Sequence, residues 1–277
     1  MSDSHFCERD LADLAWAYQH LEHPSLAARL SSVIGVPIEQ ALSVLPQAWH
    51  RRIEQAAERS IGIMLDLTIH SMATVQPDAA NDPLHRLLVM GTGAAGGFFG
   101  PLALLAELPL TTALMLRSIA DIAHSQGEDL ASPDAKLACM QVFALGGRSA
   151  EDRATDTGYY GLRVTLSLHF APRLLPFGRA AGESVPAAVN VARCIAARFG
   201  LLVSDKVAAQ LAPVAGAAAG ALLNVAFMRH FQDIARGHFI VRRLERRHGA
   251  DATREAYEDI GRRQAQVTRS YSPLEGW

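Results

Sequence analysis

Cysteine is scarce in this sequence: Cys7, Cys139 and Cys194 are widely spaced, odd in number and form no CxxC pair. That excludes a disulfide scaffold and a thiolate zinc site, and fits free buried thiols in a reducing compartment. Aromatic residues make up 6% and the formal net charge is −2, so the chain has neither the stacking platforms nor the positive field that nucleic acid requires. Charge of both signs is low, 19% of 277 residues against 49% hydrophobic, with a mean hydropathy of +0.10. So little polar surface leaves exposed apolar area to be expected. Alternating runs of Val, Ile, Thr and aromatics are nearly absent, and GxSxG, HExxH, P-loop and EF-hand patterns do not occur. From Met1 to Asp13, acids (Asp3, Glu8, Asp10) stand where an export signal needs basic residues before an apolar core, so a cytoplasmic location is expected.

What is present is helical periodicity. Leu11, Leu14, Ala15, Tyr18 and Leu21 recur at helical spacing up to His23-Pro24. A second helix is expected from about Ile38 towards Ile69, with Pro37 near its start and Pro46 as a kink. Gln76 to Asp82 reads as a loop, and Gly146 to Gly161 and Pro172 to Pro186 as connecting segments. Leu162 to Phe170 has some strand character, but its surroundings favour helix. Helical patterns resume from about Ala187 and run to Arg247, with Gly249 as the stop. The expectation is an all-α multi-helix bundle: an N-terminal helical region (1–83), a core (84–249) with two glycine-rich apolar hairpins (84–130 and 187–249), and a charged helix and tail (250–277).

Two charge-free runs stand out. Leu87 to Ala106 is bounded by Arg86 and Glu107, and Leu211 to Met228 by Gln210 and Arg229. Each carries glycines four apart, Gly93/Gly97 and Gly96/Gly100 in the first and Gly216/Gly220 in the second, which bare one helix face for close backbone approach. One reading is a membrane-inserting hairpin; the other is a tightly packed interior pair, which the weak insertion drive of Gly and Ala favours. Residues 91–96 also fit GxGxxG, yet Pro101 falls in the first turns of the helix it needs, and no second strand ending in an acid follows. The glycines serve helix packing better than a dinucleotide.

Polar residues gather after each run. On a helix from Glu107 to Ser125, with Pro109 in its first turn, Glu107, Thr111, Ser118, Asp121 and Ser125 share one stripe, flanked by Arg117 and His124. That stripe lines a polar pocket or is an ordinary solvated face. After the second run, which contains Asn224, come Arg229, His230, Asp233, Arg236 and His238. The order Arg117-x-x-x-Asp121-Ile122-Ala123 recurs 112 residues later as Arg229-x-x-x-Asp233-Ile234-Ala235, which suggests two related hairpins about a pseudo-twofold axis. His230 and His238 diverge by about 80° on a helix, so no metal site is expected with Asp233. Ser118, Asp121 and His124 are triad residue types, but one rigid helix does not converge them. Arg242, Arg243, Arg246 and Arg247 form a basic cluster suited either to anionic lipid or to solvent.

Leu84 to Leu130 resembles the central signature of the EcsC family: a glycine-rich apolar helix, an acid-Leu-Pro step (Glu107-Leu108-Pro109), and a helix ending in Ile122-Ala123 before Gly127-Glu128-Asp129. Pro213 to Asn224 with Arg236 to Gly249 is similar to the family's C-terminal signature, and the likeness covers roughly Leu11 to Gly249. Glu107 stands where the family often has Asp, and Gln126 where it often has an aromatic. The resemblance implies a helical fold and a membrane or transport context, since the family takes its name from a gene beside a membrane ABC transporter, and it implies no catalytic residues. The expected function is therefore non-enzymatic: action at a membrane surface or on a lipid or hydrophobic small molecule, with a membrane transporter as a further partner and no cofactor. Two alternatives stay open. One is a lipid-hydrolase-like enzyme using Asp121 and His124 or Asp233 and His238; the other is a toxin-like or scaffolding protein whose glycine-rich helices insert or oligomerise.

Overall fold

A computed structural model describes residues 6–22, 26–35, 37–43, 45–70, 101–146, 158–164, 166, 185–211 and 217–271. Among them every regular element is a helix: α1 (Glu8–Glu22), α2 (Leu26–Ile34), α3 (Ile38–Ser43), α4 (Gln47–His70), α5 (Pro101–Ser125), α6 (Pro133–Leu145), α7 (Val185–Leu211), α8 (Ala217–His248) and α9 (Ala250–Tyr271). Residues 159–164 are also helical. The all-α expectation holds. The expected loop at 76–82, Gly93, Gly96, Gly97, Gly100 and Gly216 lie outside the described residues.

Two boundaries differ from the sequence reading, each at a proline. The helix expected from Ile38 to Ile69 is broken into α3 and α4, because a proline ring at 46 cannot continue the ladder and clashes with the preceding turn. Pro46 instead serves as a start, its carbonyl accepting from Trp49 N–H at 2.9 Å. Conversely, α5 is already helical at Pro101, ahead of the expected start at Glu107, and carries Pro109 in its interior. Burial of Leu108, Met115 and Ile119 holds the helix together across the hydrogen bond that Pro109 forgoes.

Helix ends are set by glycine where the backbone turns left-handed. α5 closes on Gly127 (φ 82°), with Glu128 N–H reaching Ala123 O (3.1 Å) and Gly127 N–H reaching His124 O (2.8 Å), the paired bonds of a Schellman end. Gly249 (φ 92°) separates α8 from α9, as expected of a stop. α6 starts from Ser132, whose hydroxyl accepts Ala135 N–H at 3.1 Å ahead of Pro133.

The core gathers around α8, which packs against α1, α2, α5, α6, α7 and α9, while α4 lies against α5 and α7. Phe143, Phe199, Phe227 and Phe231 from α6, α7 and α8 form one aromatic knot with centroids 5.2 to 6.1 Å apart. α8 packs tightly on α1 at Gly237: a methyl there would stand 2.9 Å from Leu21 Cγ. Among the described residues no helix is long and apolar enough to cross a membrane.

Candidate functional site

The directions of α5 and α8 follow from their cross-links. Ser118 Oγ accepts from Gln232 Nε2 at 2.9 Å, Glu128 binds Arg242, and Gln126 binds Arg243. Partner numbers rise together, so the two helices run parallel. Their N-terminal halves share one end of the bundle and their charged halves the other.

The repeat noted in sequence is also a repeat of environment. Stepping by 112 residues, Met115 and Phe227, Ile119 and Phe231, Ile122 and Ile234, and Ala123 and Ala235 are all buried. Ser118 and His230 are buried, Arg117 and Arg229 exposed. The correspondence extends one step beyond the motif: Leu110 is 55% and Leu222 53% exposed, two of the most exposed large hydrophobic side chains among the described residues. On each helix the leucine stands seven residues before the arginine, so both lie on one outward face about 10 Å apart.

The middle of the stripe on α5 faces inward. Thr111, Ser118 and Asp121 are buried, whereas Arg117, His124 and Ser125 are exposed, and Arg117 Nε reaches Asp121 Oδ1 at 3.4 Å. Glu107 lies in α5 and Gly220 in α8. Asn224 is buried on α8. In the second copy of the motif Asp233 takes its main partner from elsewhere: Arg29 Nη2 of α2 at 2.6 Å, with Arg236 Nη1 at 3.8 Å. His230 gives its Nε2 to Gly146 O (2.9 Å), and burial pushes its imidazole down to about 4. His238 Nδ1 meets Tyr159 Oη at 2.8 Å, so the two histidines serve different partners. Asp233 and His238 are thereby drawn to separate groups.

The four arginines near the end of α8 are each engaged by a carboxylate. Arg242 holds Glu128 through two bonds (2.8 and 3.0 Å) and Asp134 at 2.6 Å; Arg246 also binds Glu128. Arg243 reaches Asp13 at 2.5 Å, and Asp10 takes Arg247 (3.3 Å) and His248 (3.0 Å). Burial alone raises the Glu128 and Asp10 carboxyls; the hydrogen bonds and charges of their cationic partners outweigh it and hold both below the ordinary range. The Gly127-Glu128 step and the arginine-rich end of α8, far apart in sequence, are thus two halves of one clasp beside a cleft of about 450 Å³.

A second cleft, about 610 Å³, lies where α1, α9 and the 159–164 segment meet. Tyr18, Tyr159, Tyr160 and Tyr257 pack together there, with centroids 4.9 to 5.7 Å apart. Glu22 accepts Tyr159 N–H (2.9 Å) and Tyr257 O–H (3.0 Å), and Arg163 clamps Glu245 through two bonds (2.7 and 2.8 Å). Sequence reasoning missed this cluster, Arg29 and the buried Lys206, whose Nζ lies 4.6 Å from the Phe227 ring centre. Their partners are remote in the chain, and no local period marks them.

A helical bundle with two repeated helices, parallel and clasped at their charged ends, defines the class of this protein. The profile of the EcsC protein family matches residues 14–244, and the chain belongs to that family. No curated protein and no solved structure matches it.

Proposed function

We propose that the protein works without catalysis as a peripheral membrane protein, docking on lipid through the end of the bundle where α5 and α8 begin. The carrying observation is the repeated outward face, Leu110 before Arg117 and Leu222 before Arg229, on two parallel helices. Residues 217–228 of α8 carry no charge, and the exposed leucines stand at nearly the same height, so that end of the molecule offers apolar side chains to a bilayer surface. The charged end is poorly suited: Arg242, Arg243, Arg246 and Arg247 are already matched by Asp10, Asp13, Glu128 and Asp134. Docking from the reducing side of the cytoplasmic membrane fits the free thiols of Cys7 and Cys139, and puts the protein within reach of a membrane transporter. A soluble hydrophobic molecule held by the same leucines is the smaller-scale version of this reading.

Co-sedimentation with lipid vesicles tests it. The wild-type chain is expected to pellet with vesicles, and the Leu110→Asp/Leu222→Asp double variant, folded by circular dichroism, to stay in the supernatant. A double variant that pellets as well as wild type sinks the proposal.

A further inference from the structure

We infer that the cleft where α1, α9 and the 159–164 segment meet binds a small organic cation, a quaternary ammonium or a guanidinium, on the ring of Tyr160 beside Glu258, where the chain's own Arg254 rests. The inference stands apart from the membrane reading above and adds a soluble ligand to it.

The site is built on one stripe of α9. Arg254, Tyr257, Glu258 and Gly261 stand at i, i+3, i+4 and i+7, so all four share one helix face, and all four line the cleft. Gly261 leaves room at the far end: a methyl there would lie 2.6 Å from Tyr18 Oη, so the end of the Tyr18 side chain rests against bare backbone. Tyr160 closes the corner from the neighbouring segment, its ring centre 5.2 Å from that of Tyr257 and its plane nearly at right angles (85°). Tyr18 continues the wall, 4.9 Å from Tyr257. The volume, about 610 Å³, suits a small molecule.

The chain itself shows what the corner attracts. Arg254 Cζ stands 5.7 Å from the Tyr160 ring centre while its Nε reaches Glu258 Oε1 at 2.8 Å. An aromatic face and a carboxylate therefore already hold a delocalised cation, the pairing by which proteins recognise quaternary ammonium and guanidinium groups. The side chains of Arg254 and Glu258 are 57% and 45% exposed, and an ion pair four residues apart on a solvated helix holds weakly. Arg254 swings aside when a free cation arrives, and so acts as a built-in competitor.

The cleft is also placed for a soluble ligand. Tyr159, beside Tyr160, meets α8 through its Oη at His238 Nδ1 (2.8 Å), sixteen residues and about 24 Å along the helix from Leu222. With the leucine end on lipid, the cleft stays in water.

NMR titrations of the full chain with choline and with methylguanidinium read the Tyr160 ring directly. Wild-type protein is expected to bind one or both at millimolar concentration, and Arg254→Ala to bind about threefold more tightly because its competitor is gone. In the Arg254→Ala background, Tyr160→Leu is expected to abolish binding, and Glu258→Gln to weaken it about threefold. Arg263→Ala, which removes an exposed arginine of α9 outside the cleft, is expected to bind as wild type does. If neither cation shifts the Tyr160 ring in Arg254→Ala, the inference is overturned. An equal gain in Arg263→Ala reports net charge alone and overturns the site. Binding of 3,3-dimethylbutanol, the uncharged counterpart of choline, as tightly as choline overturns the cation assignment. None of these titrations contains lipid, so their failure leaves vesicle docking standing.

Discussion

At Gly237, the absence of a side chain lets α1 close on α8. A methyl there meets Leu21, itself buried, at 2.9 Å, so Gly237→Ala is expected to destabilise by about 1 kcal/mol even after the gain in helix propensity. Denaturant titrations of Gly237→Ala, Leu21→Ala and the double variant check this: the penalty of the alanine at 237 should vanish once Leu21 is shortened, and additive effects contradict it. His230 supplies the pH prediction. Its imidazole titrates near 4 in the fold against 6.5 when unfolded, so between those values the unfolded chain binds more protons. Stability is therefore full above pH 6.5, falls as pH drops towards 4 by about 3 kcal/mol, and is not recovered below. Asp10 and Glu128, with folded values below the ordinary 3.8 and 4.5, lose their contributions only in stronger acid. An NMR titration showing His230 protonated near pH 6.5 in the folded protein removes the claim. The sequence pointed to His230 and His238 as polar groups beside an apolar run. It did not show that both turn inward, because Gly146 and Tyr159, which receive them, lie 84 and 79 residues away.

Among the elements, the turn between α5 and α6 illustrates how local and distant signals combine. Gly127 closes α5 because a left-handed residue ends the helix and glycine adopts it without strain, though in the sequence it stood out only within a family signature. Glu128 was legible only as a letter of a family signature. Packing makes it the acid that satisfies Arg242 and Arg246 across 114 and 118 residues. Glu128→Ala is expected to cost about 3 kcal/mol, because Arg242 is largely buried and keeps only the exposed Asp134, whereas Glu128→Asp retains part of the clasp. Equal melting temperatures for wild type and Glu128→Ala rule this out. The stripe on α5 carries a similar lesson. Its angular grouping was readable from spacing, but a stripe of Thr, Ser and Asp has the same pattern whether it meets water or a neighbour, and the Gln232 amide of α8 turns Ser118 inward. The prolines show the limit of local rules: Pro46 breaks a helix and Pro109 does not, since burial around the second outweighs the missing hydrogen bond.

For the molecule as a whole, the repeat yields the most direct expectation. If Leu110 and Leu222 are equivalent feet, Leu110→Asp and Leu222→Asp should each weaken vesicle binding by a similar factor, and the double variant by about the product. A single variant that alone abolishes binding while the other is silent argues for one contact and against equivalence. The all-helical class and the helix stops came from composition and period alone, because helix formation is governed by residues three and four apart. The family followed from short signatures, and so did the RxxxDIA repeat. Tertiary structure alone decided which polar groups are spent and which are offered. It assigned Asp233 to Arg29, 204 residues away, set α5 and α8 parallel, matched the last arginines of α8 to acids of α1 and the α5–α6 turn, and left Leu110 and Leu222 on outward faces. Each of those outcomes depends on which distant surface a side chain meets on folding, and pairing across such distances leaves no periodic trace in the chain.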